Sequence, residues 1–262
     1  MRKYQREFAR RVGLVIGGVA LAWSAQVVAN CQVHSGPRTA ALVELYTSEG
    51  CSSCPPADRQ LSRLTQAVDR NAEVVPLSLH VDYWDAIGWK DPFGQSRFGE
   101  RQSWLVRASG HDTVYTPQFF VGGSELRSWQ AALPDKVRQV NATPAAADIR
   151  MEAVRTSHDS LTVNVAAHTA RASAALYLAV TESGLVSKVS RGENSGATLA
   201  HDHVVRQFFG PVRLADGEAV LMRDIPLPSN WNRDRVDLAA FVASERTGEV
   251  LQALAANDCT NH

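Results

Sequence analysis

Two cysteines separated by two residues, Cys51 and Cys54, carry the clearest chemical signal in the sequence. They follow a short apolar run and precede Pro55 and Pro56, which suit the first turn of a helix. The helix dipole lowers the pKa of a thiol at this position, because it favours the nucleophilic thiolate. The sequence therefore predicts a redox-active pair, with Cys51 as the exposed attacking sulfur and Cys54 as the resolving thiol.

The elements that would position these thiols alternate between strands and helices. Two apolar runs, residues 41–46 and 74–81, are typical of buried strands. Three segments have helical periodicity: 55–68, 94–108 and 129–140. This alternation predicts an α/β domain over residues 30–143.

The sequence changes its period after residue 143. An alanine-rich linker, 144–147, is followed by short runs in which apolar and polar residues alternate, as they do in half-buried strands. No long segment there has helical periodicity. The pattern predicts a smaller all-β, sandwich-like domain over residues 144–262.

The order of strand, C-x-x-C and helix resembles thioredoxin. In thioredoxin-like folds, the strand that faces the cysteines begins with a cis-proline, and Thr116-Pro117 precede the apolar run 119–121 in the corresponding place. The resemblance implies that Thr116 and Pro117 shape the substrate groove. It fails at Leu45, where thioredoxin has a buried carboxylate that assists proton transfer. The remaining candidates for a general base are Glu44, His80 and Asp82.

Longer segments resemble an exported bacterial thioredoxin-like family that is known mainly as a domain of unknown function. They are V-E-L-Y-T-S-E-G-C-S-S-C-P-P-A-D at 43–58, H-V-D-Y-W-D-x-x-G-W-K-D-P-F at 80–93, Y-T-P-Q at 115–118 and G-E-N-S-G-A-T-L-A-H-D-H-V-V-R at 192–206. The resemblance spans most of the chain after residue 40. It implies a thioredoxin-like domain with an all-β appendage, and it implies no substrate.

Aromatic residues follow the strand that ends at His80. Tyr83, Trp84 and Trp89, together with Tyr115, are predicted to wall a peptide or small-molecule groove beside the cysteines. The alternative is a loop whose aromatic side chains fill a junction between domains. A second histidine cluster, His201-Asp202-His203, is interpreted as an exposed strand, because two histidines alone hold a metal weakly.

The other two cysteines, Cys31 and Cys259, lie near opposite ends of the chain. If Cys51 and Cys54 pair with each other, Cys31 and Cys259 remain as a pair, which is one of three connectivities. Residues 1–29 have a basic start and an apolar run over 12–22, which predict a cleaved export signal. Disulfides persist outside the cytoplasm, so we expect a periplasmic or secreted protein with no membrane span after processing.

Length and charge limit the remaining classes. A chain of 262 residues, 45% hydrophobic, can bury a core without disulfides. Without residues 1–29 it has 22 basic and 26 acidic residues, which argues against a nucleic-acid partner. We expect thiol–disulfide exchange with a protein partner and no cofactor or metal. Two alternatives stay open: a non-catalytic binding module with a structural C-x-x-C disulfide, and a copper-handling protein that uses Cys51, Cys54 and His80.

Overall fold

The computed structural model describes residues 30–257 and 259. The predicted export signal lies outside these residues. The strands are β1 Asn30–His34, β2 Ala41–Thr47, β3 Val74–His80, β4 Gln118–Val121, β5 Ser124–Glu125, β6 Asp148–Ser157, β7 Ser160–His168, β8 Ala174–Glu182, β9 Leu185–Lys188, β10 Thr198–His201, β11 Val204–Arg213, β12 Glu218–Pro226, β13 Val236–Ser244 and β14 Val250–Ala256. The α-helices are α1 Pro55–Ser62, α2 Leu64–Ala67, α3 Ser96–Ala108 and α4 Trp129–Asn141. No helix in this part of the chain is long and apolar enough to cross a membrane.

The strands form one large sheet and two smaller ones. The large sheet has eight strands in the order β14-β13-β8-β11-β3-β2-β4-β5, and a second sheet has the order β1-β6-β7-β12. Strands β9 and β10 form a separate antiparallel hairpin. Within the large sheet, β2 and β3 are parallel, and β4 is antiparallel to β2.

The fold class predicted from the sequence is wrong. The protein is mostly β-sheet with large multi-stranded sheets, and it is not a thioredoxin-like α/β domain followed by a small all-β domain. Strand β11 pairs with β3 at Val204 and Ser78, so strands from both sides of residue 144 share one sheet. Periodicity identifies the strands themselves but gives no sign of which distant strand occupies the edge of β3.

Strand β8 lies between the four-stranded sheet and helix α3. Its residues are buried on both faces, although the sequence was interpreted as a half-buried strand. Leu176 and Leu178 pack against the four-stranded sheet, while Tyr177 packs on the opposite side in the core that contains α3. A strand that is apolar at consecutive positions is typical of a sheet covered on both sides.

Strand β2 separates the α3 core from a third core. Leu42 and Tyr46 face α3, whereas Val43 and Leu45 face α1 and α4. This alternation follows from the two-residue period of a strand. The helix that follows the C-x-x-C motif therefore lies on the Val43 face of the sheet.

Glu44, a predicted general base, points to the face opposite α1. Its carboxylate accepts hydrogen bonds from Arg101 Nε at 2.7 Å and Arg101 Nη2 at 3.2 Å, and another from the Tyr46 hydroxyl at 3.2 Å. The side chains of Arg101 and Glu44 are 7% and 1% exposed. The guanidinium also lies 4.9 Å from the ring centre of Tyr177. Glu44 thus belongs to a buried ion pair that fixes α3 on the sheet.

We expect Glu44→Gln to lower the free energy of unfolding by roughly 3–5 kcal/mol, because the Arg101 charge would stay buried without its partner. Urea denaturation measures this change. The control is Glu249→Gln, which removes an exposed pair with Arg171 and should cost less than about 1 kcal/mol. Equal losses in the two variants would contradict the assignment.

A disulfide joins Cys31 in β1 to Cys259, across a sequence separation of 228 residues. Replacing both cysteines by alanine should lower the free energy of unfolding by roughly 2–5 kcal/mol, since a long loop in the unfolded chain is released. Denaturation of the oxidised protein tests this expectation. The double variant Cys51→Ala/Cys54→Ala is the comparison, because that disulfide closes a separation of only three residues. A larger loss in the comparison variant would show that loop length does not determine the effect.

Candidate functional site

Three strand ends meet at one end of the large sheet. Thr47 at the end of β2 is opposite His80 at the end of β3, and Tyr46 is opposite Gln118 at the start of β4. The parallel strands bring their carboxyl ends together, and the antiparallel strand adds its amino end. The C-x-x-C segment, His80 and Pro117 therefore lie at the same end of the sheet.

Cys51 and Cys54 form a disulfide at the start of α1, with their Cα atoms 5.4 Å apart. Cys54 caps the helix, and its carbonyl accepts the N–H groups of Ala57 and Asp58. The Ser53 hydroxyl lies 3.4 Å from Cys51 Sγ. The predicted disulfide bonds are confirmed, and this one has a hydroxyl and a helix N-terminus beside its first sulfur.

Both cysteines are 0% exposed, so the prediction of an exposed Cys51 is wrong. The segment 189–197, which connects β9 to β10 and which we call the cap, lies against the motif. Asn194 Nδ2 donates to the carbonyls of Glu49 and Cys51 at 2.8 and 2.9 Å. Ser52 donates its N–H and hydroxyl to Glu193 Oε2 at 3.0 and 2.7 Å, and these bonds lower the pKa of Glu193. A segment more than 130 residues away thus holds the C-x-x-C backbone.

The cap also contacts Trp89. A Cβ atom on Gly192 would lie 3.2 Å from Trp89 Cβ, and the φ angle of Gly192 is +72°, so this position favours glycine. Trp89 Nε1 donates to Glu49 Oε2 at 2.7 Å. Trp89 therefore connects the cap to a buried carboxylate beneath it.

The other aromatic residues of the predicted groove occupy different surroundings. Trp84 is half-buried and packs on the α3 core. Tyr83 is 43% exposed and donates to Gln102 Oε1, while Gln102 Nε2 donates to the carbonyl of Tyr115. Burial raises the pKa of Tyr83 to about 12. Gln102 of α3 thus links Tyr83 to Tyr115. Trp84 lies on the α3 core, and Trp89 lies under the cap.

The residues predicted to flank the motif also differ in their surroundings. The Thr116–Pro117 peptide bond is cis, and the buried Thr116 hydroxyl lies beside the Tyr83 hydroxyl. Asp82 is half-buried, and its Oδ1 faces Gly99 of α3. Asp82 therefore lies towards α3.

His80 is fully buried and pairs with Asp91, with 2.8 Å between Nδ1 and Oδ2. Burial disfavours the imidazolium, but the carboxylates of Asp91, Asp58 and Glu49 together outweigh it and raise the pKa of His80. Asp91 also accepts the N–H groups of Glu49 and Phe93. Burial alone would raise the pKa of Asp91, but His80 and these N–H groups lower it.

A second carboxylate–imidazole pair lies beside the first. His201 Nε2 is 3.1 Å from Glu49 Oε1, and the ring centres of His80 and His201 are 5.0 Å apart. His201 is 2% exposed, so the interpretation of this segment as an exposed strand is wrong for His201. It comes from β10, directly after the cap.

Asp58 completes the group. It lies in α1 and is 6% exposed, and burial raises its pKa despite the nearby His80 and His201. Asp58, His80 and His201 each have one buried side-chain atom without a hydrogen-bond partner in the described part of the chain: Asp58 Oδ1, His80 Nε2 and His201 Nδ1. We call Glu49, Asp58, His80, Asp91 and His201 the acid–imidazole cluster.

Of the predicted bases, only His80 belongs to this cluster. The sequence alone predicts no role for Glu49 or Asp58. Two signals were available: Asp58 is four residues after Cys54 on a predicted helix, and His201 shares its strand face with the apolar Leu199. Glu49 and Asp91 occupy loops, where no period indicates the direction of a side chain.

The copper-handling alternative has no matching arrangement of ligands. The sulfurs of Cys51 and Cys54 are bonded to each other. Within residues 30–257 and 259, no group of three or more His, Cys, Asp or Glu side chains is placed to hold a metal ion.

Solved structures with a similar fold come from two bacteria. A crystal structure of a protein from Agrobacterium tumefaciens matches with a TM-score of 0.59 and 22% identity, over 85% of this chain and 96% of that one. HBP35 of Porphyromonas gingivalis matches with a TM-score of 0.64 and 17% identity, over 85% of this chain and 76% of that one. At these identities the likeness shows a shared fold alone.

A search of curated proteins gave no match to the sequence. A family model described as "Protein of unknown function (DUF1223)" matches residues 42–243. The match covers more than half of the chain and confirms the resemblance to a family of unknown function. The chain therefore belongs to the DUF1223 family.

Proposed function

We propose that the protein exchanges its Cys51–Cys54 disulfide with the thiols of a protein partner. The observation that carries the proposal is the position of this disulfide, at the start of a helix and beside the acid–imidazole cluster. Burying ionisable groups costs stability, and such groups concentrate at functional sites. A chain of this size does not need a three-residue disulfide to stabilise its core.

The exchange has two steps. A thiolate of the partner attacks Cys51 Sγ, the bond to Cys54 Sγ breaks, and Cys54 leaves with the electron pair. A second thiolate of the partner then attacks the partner's sulfur in the mixed disulfide, and Cys51 leaves as a thiolate. The partner is oxidised to a disulfide, and the protein gains two electrons and takes up protons. The reverse sequence oxidises the protein.

Several side chains support these roles. The dipole of α1 and the Ser53 hydroxyl favour a thiolate at Cys51. Thr116 and Pro117, at the same end of the sheet, would contact the partner's chain beside the sulfurs. The basic and apolar start of the sequence supports an exported, periplasmic or secreted location, where the partner would be met.

Both sulfurs are buried and the cap is hydrogen-bonded to the motif, so we propose that the cap moves before a partner reaches Cys51. Hydrogen bonds from Asn194 and Ser52 hold it in place. We therefore include opening of the cap as the first event of the exchange.

The burial of both sulfurs favours a second candidate, in which the disulfide is structural. A structural disulfide resists reduction and has a potential below about −300 mV, whereas exchangeable disulfides lie higher. Equilibration of the protein with glutathione or dithiothreitol buffers distinguishes these candidates.

The Cys54→Ala variant should accumulate mixed disulfides through Cys51, because the resolving thiol is absent. Non-reducing electrophoresis and mass spectrometry of the exported fraction measure them. The matched control is Cys51→Ala, which leaves only the Cys54 thiol and should trap far less. If neither variant forms mixed disulfides, the exchange proposal is wrong.

Weakening the cap should speed reduction of the Cys51–Cys54 disulfide. The variant Glu193→Ala/Asn194→Ala loses four hydrogen bonds to the motif, and we expect reduction by dithiothreitol to be at least about tenfold faster. Thiol alkylation over time gives the rate. Glu249→Ala, which removes an exposed glutamate paired with Arg171, is the control. An unchanged rate in the cap variant would mean that the cap does not limit access.

A further inference from the structure

Asp58 has a defined relation to the resolving cysteine. Cys54 has helical dihedral angles, φ −77° and ψ −38°, and its carbonyl accepts the Asp58 N–H at 3.1 Å. Residues four apart on a helix have Cβ atoms roughly 5–6 Å apart, and their side chains point towards the helix N-terminus. The Asp58 carboxyl group therefore lies on the same side of α1 as Cys54 Sγ.

Water does not reach this pair of residues freely. Cys54 is 0% exposed and Asp58 is 6% exposed. When the disulfide opens, the charge that forms on Cys54 must be neutralised by a proton from a protein group, because a buried thiolate is costly. Asp58 is the acid that lies one helical turn after this sulfur, on the same side of α1.

The imidazoles of His80 and His201 lie close to Asp58. His80 uses Nδ1 to bind Asp91, and His201 uses Nε2 to bind Glu49. A carboxylate on one ring nitrogen orients the ring and leaves the other nitrogen to exchange a proton. In both rings that second nitrogen is buried and has no hydrogen-bond partner among the residues that the structure describes.

We propose that Asp58 is the proton donor and acceptor for Cys54, and that His80 and His201 exchange this proton with Asp58. The inference rests on the thiol–disulfide exchange proposed above. In the reductive direction, the Asp58 carboxyl gives its proton to Cys54 as the S–S bond breaks. In the reverse direction, the Asp58 carboxylate takes the proton from the Cys54 thiol as that sulfur attacks the mixed disulfide. One proton moves in each direction, and no further oxidant or reductant is needed.

The charged groups around Asp58 determine the pH dependence. His80 faces it from β3, His201 from β10 and Asp91 from the loop after β3, while Thr47 of β2 is its polar neighbour. The Glu49 carboxylate raises the pKa of His80 from the loop that precedes the C-x-x-C motif. Arg206 lies on the far side of the Phe93 ring, 5.2 Å from its centre. Burial raises the pKa of Asp58, so its carboxyl keeps a proton at a higher pH than an exposed aspartic acid does.

The test is the rate of reduction by dithiothreitol as a function of pH, for the full chain. In the wild type, the rate should first rise with pH, because the fraction of dithiothreitol thiolate increases. It should rise less steeply above the pH at which Asp58 loses its proton, because the proton donor is then absent. For Asp58→Asn we expect a rate about 100-fold lower at the pH where the wild-type carboxyl is protonated, and no bend in the profile. The control Asp69→Asn changes an exposed aspartate and should follow the wild type.

The outcomes separate this inference from the proposed function. If the wild type exchanges with thiols but Asp58→Asn keeps its rate and its bend, the role of Asp58 is wrong and exchange stands. If the wild-type disulfide is not reduced and traps no partner, the proposed function itself fails. Should Asp58→Asn not fold, the wild-type profile still decides, because a profile without a bend would overturn the inference.

Discussion

The pairing of β11 with β3 determines the composition of the site. It adds strands from the second part of the chain to the sheet that carries the C-x-x-C motif, and β10 directly precedes β11. The β9–β10 hairpin is therefore held above the motif, where it supplies both the cap and His201. Without this pairing the end of the sheet would hold a disulfide, His80 and Pro117, and it would lack one of the two imidazoles.

The acid–imidazole cluster is the costly part of this arrangement. Removing carboxylates and imidazoles from water is unfavourable unless hydrogen bonds and opposite charges compensate. Asp91 and Glu49 are compensated by histidines, backbone N–H groups and Trp89. Asp58 has no comparable partner among the described residues, and burial raises its pKa. The Glu44–Arg101 pair on the opposite face differs from Asp58. The Glu44 carboxylate accepts two hydrogen bonds from the Arg101 guanidinium, which also lies over the Tyr177 ring.

Individual strands, helices and disulfides were predictable from the sequence, whereas the pairing of distant strands was not. The strands β2 and β3, the helix after Cys54 and both disulfides follow from period, helix-start signals and cysteine positions. The fold class was wrong because hydrogen bonding between β3 and β11 joins residues more than 120 positions apart. The same limit applies to the site: His80 follows from the end of its strand, whereas the contact of Asn194 with Cys51 depends on that distant pairing.

The β9–β10 hairpin has the cap at its tip and His201 at its base, and only the three strand residues Thr198 to Ala200 separate the cap from His201. Leu199 and His201 face inward, while Thr198 and Ala200 face outward. Since the side-chain period of a strand is two, deleting one of the strand residues Thr198 to Ala200 would keep the hairpin but turn the imidazole to solvent. Among the residues that the structure describes, Glu49 would then keep Trp89 as its side-chain partner. The length of this short strand, as much as its residue types, is therefore part of the site's chemistry.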